Sequence, residues 1–116
     1  MSQYRGSCHC GAVAFDVQTE IESLIECNCS MCSRKGYLLF FAPRSSVQFS
    51  SSESKMSSYT FNKHIIKHNF CKTCGCAPIN FGVDKEGNEV AAINARCIEN
   101  LDLGQFAIHA FDGRSI

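Results

Sequence analysis

The sequence predicts a mainly β fold with short helical turns, and two features of the chain lead to this expectation. Apolar and polar positions alternate along much of it; Val13, Phe15 and Val17 would share one face of a strand while Asp16 lies on the other. Most other segments between turn residues are rich in β-branched and aromatic side chains, which suit the surface of a sheet. With 116 residues, 45% of them apolar, we expect one compact domain over residues 1–116.

The predicted strands follow one another with short connections. They are expected at residues 13–17, Leu24–Cys27, 37–42, 58–61, 65–70, Ile79–Val83, Glu89–Asn94 and 106–111. Residues 84–88 form a hairpin connection in which Gly87 can adopt a positive φ. Helical structure is limited to a turn after Cys29 and another at residues 100–103.

One polar stretch separates the first strands from the later ones. Serines crowd residues 45–58, which also hold Glu53 and Lys55. Such a composition is typical of an exposed, flexible loop. We expect a solvated loop here, with a lid over a site as the alternative.

Seven of the nine cysteines fall into three tight clusters. The clusters are Cys8 and Cys10; Cys27, Cys29 and Cys32; and Cys71 and Cys74. One or two intervening residues let the backbone fold around a single ion and direct several sulfur atoms toward it. The last cluster is the most specific, because Gly75 lets the chain turn sharply behind the second sulfur, as in a zinc knuckle. The spacing therefore predicts zinc.

The net charge and the lack of long apolar segments predict the cellular compartment and the kinds of partner. Lysine plus arginine equals aspartate plus glutamate at 11 each, so no basic excess exists to bind nucleic acid. The first residues lack a signal core, and no run approaches the ~20 apolar residues of a membrane span. We therefore expect a cytoplasmic protein without a membrane partner, in a compartment that favours metal thiolates over disulfides. Cys97 stands alone and is expected to be a small buried apolar residue.

The two pairs together make one closed site. A structural zinc ion takes four protein ligands in a tetrahedron, which Cys8 and Cys10 with Cys71 and Cys74 can supply. This ion would join segments about 60 residues apart, where loop closure is entropically costly. Its removal should unfold the chain, because metal-binding energy is then folding energy.

The middle cluster has one ligand fewer. Cys27, Cys29 and Cys32 supply three thiolates, and three protein ligands with an open position are the catalytic pattern of zinc. A thiol entering there would lose its proton readily. The negative charge of such a site favours nearby cations, and Arg34 and Lys35 follow at once. An iron–sulfur cluster is a competing use of these cysteines, although its usual spacings differ.

Two further sets of side chains could close the open position. Cys76 follows Cys74 by two residues, and its thiolate would make both ions structural if its strand turned toward the middle cluster. The histidines could act in the same way, although a structural or exposed role is expected for each of them: His9, His64, His68 and His109.

Three motifs in this order resemble the glutathione-dependent formaldehyde-activating enzyme family, which also includes centromere protein V. They are GSCHCGAV at residues 6–13, CNCSMC at 27–32 and FCKTCG at 70–75. NARCI at residues 94–98 and FDGR at 111–114 are similar to weaker signatures of that family near the C-terminus. The resemblance covers the chain from about Gly6 to its end.

The resemblance implies a mostly antiparallel β-tent of the Mss4-like kind with two zinc ions. It implies a structural ion on the first and third clusters, a catalytic ion on the middle one, and a carbon–sulfur lyase that interconverts glutathione and formaldehyde with S-hydroxymethylglutathione. We expect the glutathione sulfur to occupy the open position and attack a small carbonyl, with Arg34 or a backbone amide near Ser30 steadying the alkoxide. The alternatives are a non-catalytic binding module with both ions structural, and zinc storage.

Overall fold

The computed structural model describes residues 2–51, 53–61, 63 and 65–115. These residues form ten β-strands, one helix of six residues and several short 3₁₀ turns, so the prediction of a mainly β fold is confirmed. The strands are β1 Ser2–Ser7, β2 Ala14–Thr19, β3 Leu24–Cys27, β4 Leu39–Pro43, β5 Val47–Phe49, β6 Met56–Tyr59, β7 Lys67–Cys71, β8 Ile79–Val83, β9 Glu89–Asn94 and β10 Ile108–Phe111, and the helix is α1 Ser30–Lys35.

The strands form two sheets. The smaller has the order β1-β2-β5 and the larger has the order β10-β3-β4-β9-β8-β7-β6. Neighbouring strands pair antiparallel, except that β10 runs parallel to β3 at one edge of the larger sheet. The mostly antiparallel arrangement is therefore present, while the tent shape that the resemblance implies stays a prediction.

The apolar core joins the two sheets. Phe15 and Val17 of β2 are fully buried together with Leu24, Ile79 and Ile93 of the larger sheet. Burial of these large side chains is the main favourable contribution to folding. The pairing that brings β1 onto β2 places Gly6 opposite Phe15. A Cβ atom at residue 6 would clash with the Phe15 ring, so this strand needs a glycine for close packing.

Several predicted elements are found where the sequence placed them. Leu24–Cys27, Ile79–Val83 and Glu89–Asn94 have the predicted bounds, and α1 begins directly after Cys29. The hairpin connection between β8 and β9 closes with the Asp84 amide donating to the Asn88 carbonyl at 2.9 Å. Gly87 has a φ of 83°, as the turn requires.

The prediction of a flexible loop at residues 45–58 is wrong for most of that segment. It contains β5, a 3₁₀ turn and the start of β6, while Ser52 lies outside the described residues. Val47 is buried in the core, and Arg44 holds the segment by a 2.9 Å ion pair with Glu53. The Arg44 guanidinium also stacks over the Phe81 ring, 4.5 Å from its centroid.

The fold places the cysteine clusters at strand ends. Cys8 follows β1 of the smaller sheet and Cys71 ends β7 of the larger one, so the first and third clusters meet where the two sheets adjoin. Cys27 ends β3, beside the edge strand β10. Among the described residues, no helix has the length and apolar character needed to cross a membrane.

Candidate metal centres

The first cysteine group consists of Cys8, Cys10, Cys71 and Cys74, whose sulfur atoms all lie within 4.8 Å of one another. The Cys10 sulfur is 3.7 Å from that of Cys8 and 3.6 Å from that of Cys71. Four sulfur atoms bound at ~2.3 Å around one tetrahedral zinc ion would lie ~3.8 Å apart. The donor set and its spacing therefore fit such an ion.

Backbone amides point at the sulfur atoms of this group. The Val13 amide donates to the Cys8 sulfur at 3.3 Å, and the Thr73 amide donates to the Cys71 sulfur at 3.4 Å. Amide donors from Cys76 and Cys10 lower the pKa of Cys74 to about 5. Hydrogen bonds of this kind stabilise the charged form of a thiol, which is the form that binds metal.

A tight turn gives the group its shape. Gly75 has a φ of 80°, and its amide donates to the Cys71 carbonyl at 3.0 Å. A side chain is strained at this φ, so glycine allows the chain to turn behind Cys74 as the sequence predicts. Cys8 and Cys71 are buried, whereas Cys10 is exposed.

The second cysteine group consists of Cys27, Cys29 and Cys32, and its three sulfur atoms also lie within 4.8 Å of one another. Cys29 caps α1, because its sulfur accepts from the Cys32 amide at 3.3 Å. The Cys29 amide in turn donates to the Cys27 sulfur at 3.4 Å. The short helix thereby brings the Cys32 sulfur close to the two preceding sulfur atoms.

The three thiols differ in their ease of ionisation. Burial disfavours the thiolate of Cys29, but hydrogen bonds from the Cys32 amide and the neighbouring thiols outweigh burial and lower its pKa. Burial is the largest cause that raises the pKa of Cys32, and the neighbouring thiols raise it further. A divalent cation would offset the repulsion among three such thiolates.

A surface hollow of about 440 Å³ adjoins the second group. Its lining includes Cys27 and Cys32 together with Ser33, Tyr37 and Phe111. The volume is in the range of small-molecule sites, which start near ~300 Å³. The arrangement can admit a small ligand to the sulfur atoms.

The C-terminal residues complete the surroundings of this group. Asn28 donates from Nδ2 to Asp112 Oδ1 at 2.9 Å, and its Oδ1 accepts from the Arg114 amide at 2.8 Å. Hydrogen bonds from Ser115 and then from Asn28 hold the pKa of Asp112 below its usual range. The sequence drew attention to residues 111–114 only through the resemblance. It gave no signal for Asn28, whose partners are more than 80 residues away.

The two remaining cysteines, Cys76 and Cys97, supply no sulfur atom to either group. Within the described ranges, neither Cys76 nor Cys97 belongs to a group of potential ligands. Cys76 packs against Cys8 and Cys71 of the first group, and its carbonyl accepts from the Cys71 amide at 2.9 Å. The structure therefore does not bring Cys76 to the second group. Cys97 is half-buried, which raises its pKa to about 11.

None of the histidines in the described part of the chain joins either group. His9 and His109 are exposed, and His68 is buried with its ring 5.2 Å from that of Phe61. His64 lies outside the described residues.

Arg34 lies in a different hollow. Its guanidinium donates to the Ser30 carbonyl at 2.9 Å, and Tyr59 and Phe61 line the same depression beside it. On a helix, residues four apart share a face, so Arg34 lies on the side of Ser30 rather than on that of Cys32. Its expected role as a donor at the second group stays a prediction that this placement does not support.

Comparisons with known proteins bear on both groups. The family model described as glutathione-dependent formaldehyde-activating enzyme matches residues 3–112. A crystal structure of a Rhodobacter sphaeroides protein superposes with a TM-score of 0.77 at 27% sequence identity, covering 90% of this chain and 99% of that one.

Proposed function

Because the chain belongs to the glutathione-dependent formaldehyde-activating enzyme family, we propose that it is a zinc-dependent carbon–sulfur lyase acting on the glutathione adduct of formaldehyde or of a related small electrophile. The observation that carries the proposal is the unequal size of the two groups, four sulfur atoms against three. An ion with four protein ligands is typically structural, whereas one with three keeps a position for a substrate atom.

We propose zinc for both groups, two ions per chain. A donor set made only of thiolates suits zinc rather than calcium or magnesium, which prefer oxygen. In this proposal the first group is structural, and the second is catalytic through Cys27, Cys29 and Cys32. Residues 1–116 would act as one unit, because the first ion ties the smaller sheet to the larger.

Zinc in the second group would lower the pKa of an incoming thiol and retain its thiolate. The side chains of the hollow then have to orient the glutathione moiety and exclude water. Tyr37 and Phe111 supply apolar walls, and Ser33 lines the hollow next to Cys32. The Ser33 hydroxyl makes only a long hydrogen bond of 3.4 Å to the Ser30 carbonyl. We propose that it turns from this carbonyl and takes the place of Arg34 as the donor to the carbonyl oxygen of the substrate.

The reaction balances without a redox partner. During adduct formation the thiol loses its proton, sulfur bonds to the carbonyl carbon, and the carbonyl oxygen gains a proton. The reverse reaction breaks the same carbon–sulfur bond and returns the thiol and the carbonyl. Thiols add to formaldehyde unaided, so the protein has to exceed this background rate. Because a catalyst leaves the equilibrium constant unchanged, it accelerates both directions by the same factor.

Exchange spectroscopy with ¹³C-formaldehyde and glutathione tests this function. The zinc-loaded protein should raise the exchange rate between free and bound formaldehyde above the uncatalysed rate, and Cys29→Ser should return it to background. Cys97→Ser is the matched control, because Cys97 belongs to neither group, and it should keep the wild-type rate. A wild-type rate equal to background would reject the lyase.

The alternative is a binding module in which both ions are structural. It requires a fourth protein ligand at the second group. The sequence offers Cys76 and the histidines as candidates for this ligand. The packing of Cys76 against the first group gives the alternative no support.

A further inference from the structure

Residues 111–115 lie against the second cysteine group. We call residues 111–115 the C-terminal strap. It begins where β10 pairs in parallel with β3, with Phe111 opposite Cys27. The Asn28 amide donates to the Phe111 carbonyl at 3.1 Å, so the strap leaves the sheet at the position where Cys27 sits.

The Asn28 side chain uses both of its polar ends on this strap. Its Nδ2 donates to Asp112 Oδ1 at 2.9 Å, and its Oδ1 accepts from the Arg114 amide at 2.8 Å. The second carboxylate oxygen, Asp112 Oδ2, accepts from Ser115 Oγ at 2.6 Å. With both oxygens of Asp112 and both ends of Asn28 engaged, the strap has one well-defined path past Cys27.

Gly113 is the strap residue that touches the cysteines. A Cβ atom at this position would lie 2.5 Å from the Cys27 sulfur and 3.2 Å from the Cys29 Cβ. Gly113 does not have a positive φ, so space rather than backbone conformation explains the glycine. A Cys27 side chain that ligates an ion cannot move aside, because moving would withdraw its sulfur from the group.

We propose that Asn28 is a positioning residue that fastens the strap against Cys27, so that the strap forms one wall of the second metal centre. A thiol then reaches the sulfur atoms through the hollow that Ser33 and Tyr37 line together with Phe111 and Asp112 of the strap. The role in metal retention rests on the proposed second zinc ion, whereas the fastening itself is a contact within the chain.

A charge swap tests the fastening in the zinc-loaded protein. Asn28→Asp sets two carboxylates against each other, whereas Asn28→Asp combined with Asp112→Asn restores one donor and one acceptor with the same shape. The first readout is hydrogen exchange of the Arg114 amide by NMR. The Arg114 amide keeps an oxygen acceptor at residue 28 in both variants, so its exchange reports opening of the strap. Loss of the hydrogen bond from residue 28 to Asp112, on the order of 1 kcal/mol, favours that opening and predicts about fivefold faster exchange in the single variant. The double variant should return to the wild-type rate.

The second readout is the rate at which a chelator removes each zinc ion. Asn28→Asp should speed release of the ion at the second group several-fold and leave release of the ion at the first group unchanged. The charge swap should restore the wild-type release rate. Gly113→Ala should reduce the zinc content from two ions to one, with the remaining ion as resistant to chelation as in the wild type. Asn88→Asp is the matched control, since Asn88 also donates to an aspartate in an exposed turn, at 3.4 Å, far along the chain from either group.

The outcomes separate the ideas. Unchanged Arg114 exchange in Asn28→Asp, or a charge swap that fails to recover it, overturns the fastening. The fastening can hold while the strap has no role in metal retention. This is the conclusion if Asn28→Asp speeds Arg114 exchange without changing zinc release and Gly113→Ala keeps two tightly held ions. A protein that shows all expected shifts and no lyase activity contradicts the proposed function alone, because neither readout measures turnover.

Discussion

The two cysteine groups should differ sharply in their contribution to stability. The first group links Cys10 to Cys71 across 61 positions, whereas the second spans only the five positions from Cys27 to Cys32. With a loop-closure entropy of (3/2)RT ln n, the two cross-links are worth about 3.6 and about 1.4 kcal/mol respectively. The difference of about 2 kcal/mol is a large part of a typical domain's stability.

Two double variants isolate this difference. Cys8→Ser with Cys10→Ser removes half of the first group, and Cys27→Ser with Cys29→Ser removes two of the three ligands of the second. Both replace two thiols with two hydroxyls of nearly the same size, and a serine at residue 29 can still cap α1. The first variant should therefore lose at least about 2 kcal/mol more unfolding free energy than the second.

Urea unfolding of zinc-loaded protein under reducing conditions, followed by circular dichroism, measures the loss. For a slope of about 1–3 kcal/mol/M, the midpoints of the two variants should differ by about 1 M. Wild-type protein stripped of both ions should unfold at least as easily as the first variant. Equal midpoints, or a lower midpoint for the second variant, would refute the assignment of the first group as the structural one.

Two further predictions concern packing and pH. Gly6→Ala should lower the free energy of unfolding in urea by about 1–3 kcal/mol, because its Cβ would press on the buried Phe15 ring. Gly82→Ala, whose Cβ would have its nearest neighbour at 3.6 Å, should cost much less. Similar losses in the two variants would contradict the close packing of β1. Burial, together with the charge of Lys35, lowers the pKa of His68, so the unfolded state binds the proton first and stability should fall as pH drops below about 6.5. His68→Gln should flatten this slope in urea midpoints measured at pH 7.5 and pH 5.5, and an unaltered slope would count against the buried neutral imidazole.

Local signals explain what the sequence predicted well. Cysteine spacing is local within each cluster, so the three clusters could be read directly, and pairing the first with the third needed only the four-ligand rule of zinc. The strands Ile79–Val83 and Glu89–Asn94 flank a recognisable hairpin connection, which is also local.

Non-local contacts explain what the sequence did not predict. Half of the six residues of β1 are exposed, and the strand shows no apolar alternation, so its conformation depends on pairing with β2. β5 is a strand because Val47 enters the core, not because its serine-rich surroundings favour one. The contacts of Asn28 with the C-terminal strap join distant parts of the chain in the same way.

The position of Arg34 on α1 is a further feature that the sequence analysis did not predict. A helical turn after Cys29 was predicted, but Arg34 was associated with the thiolates from charge alone. Residues four apart share a helix face, so α1 places Arg34 with Ser30. In the structure Arg34 shares a hollow with Tyr59 and Phe61.

Anomalous diffraction at the zinc absorption edge, from crystals of zinc-loaded protein, tests the central asymmetry most directly. The account predicts two peaks per chain, one surrounded by the sulfur atoms of Cys8, Cys10, Cys71 and Cys74, and one by those of Cys27, Cys29 and Cys32 with a non-protein atom in the fourth position. A second peak whose fourth ligand is Cys76 or any other side chain would contradict it, as would a single peak.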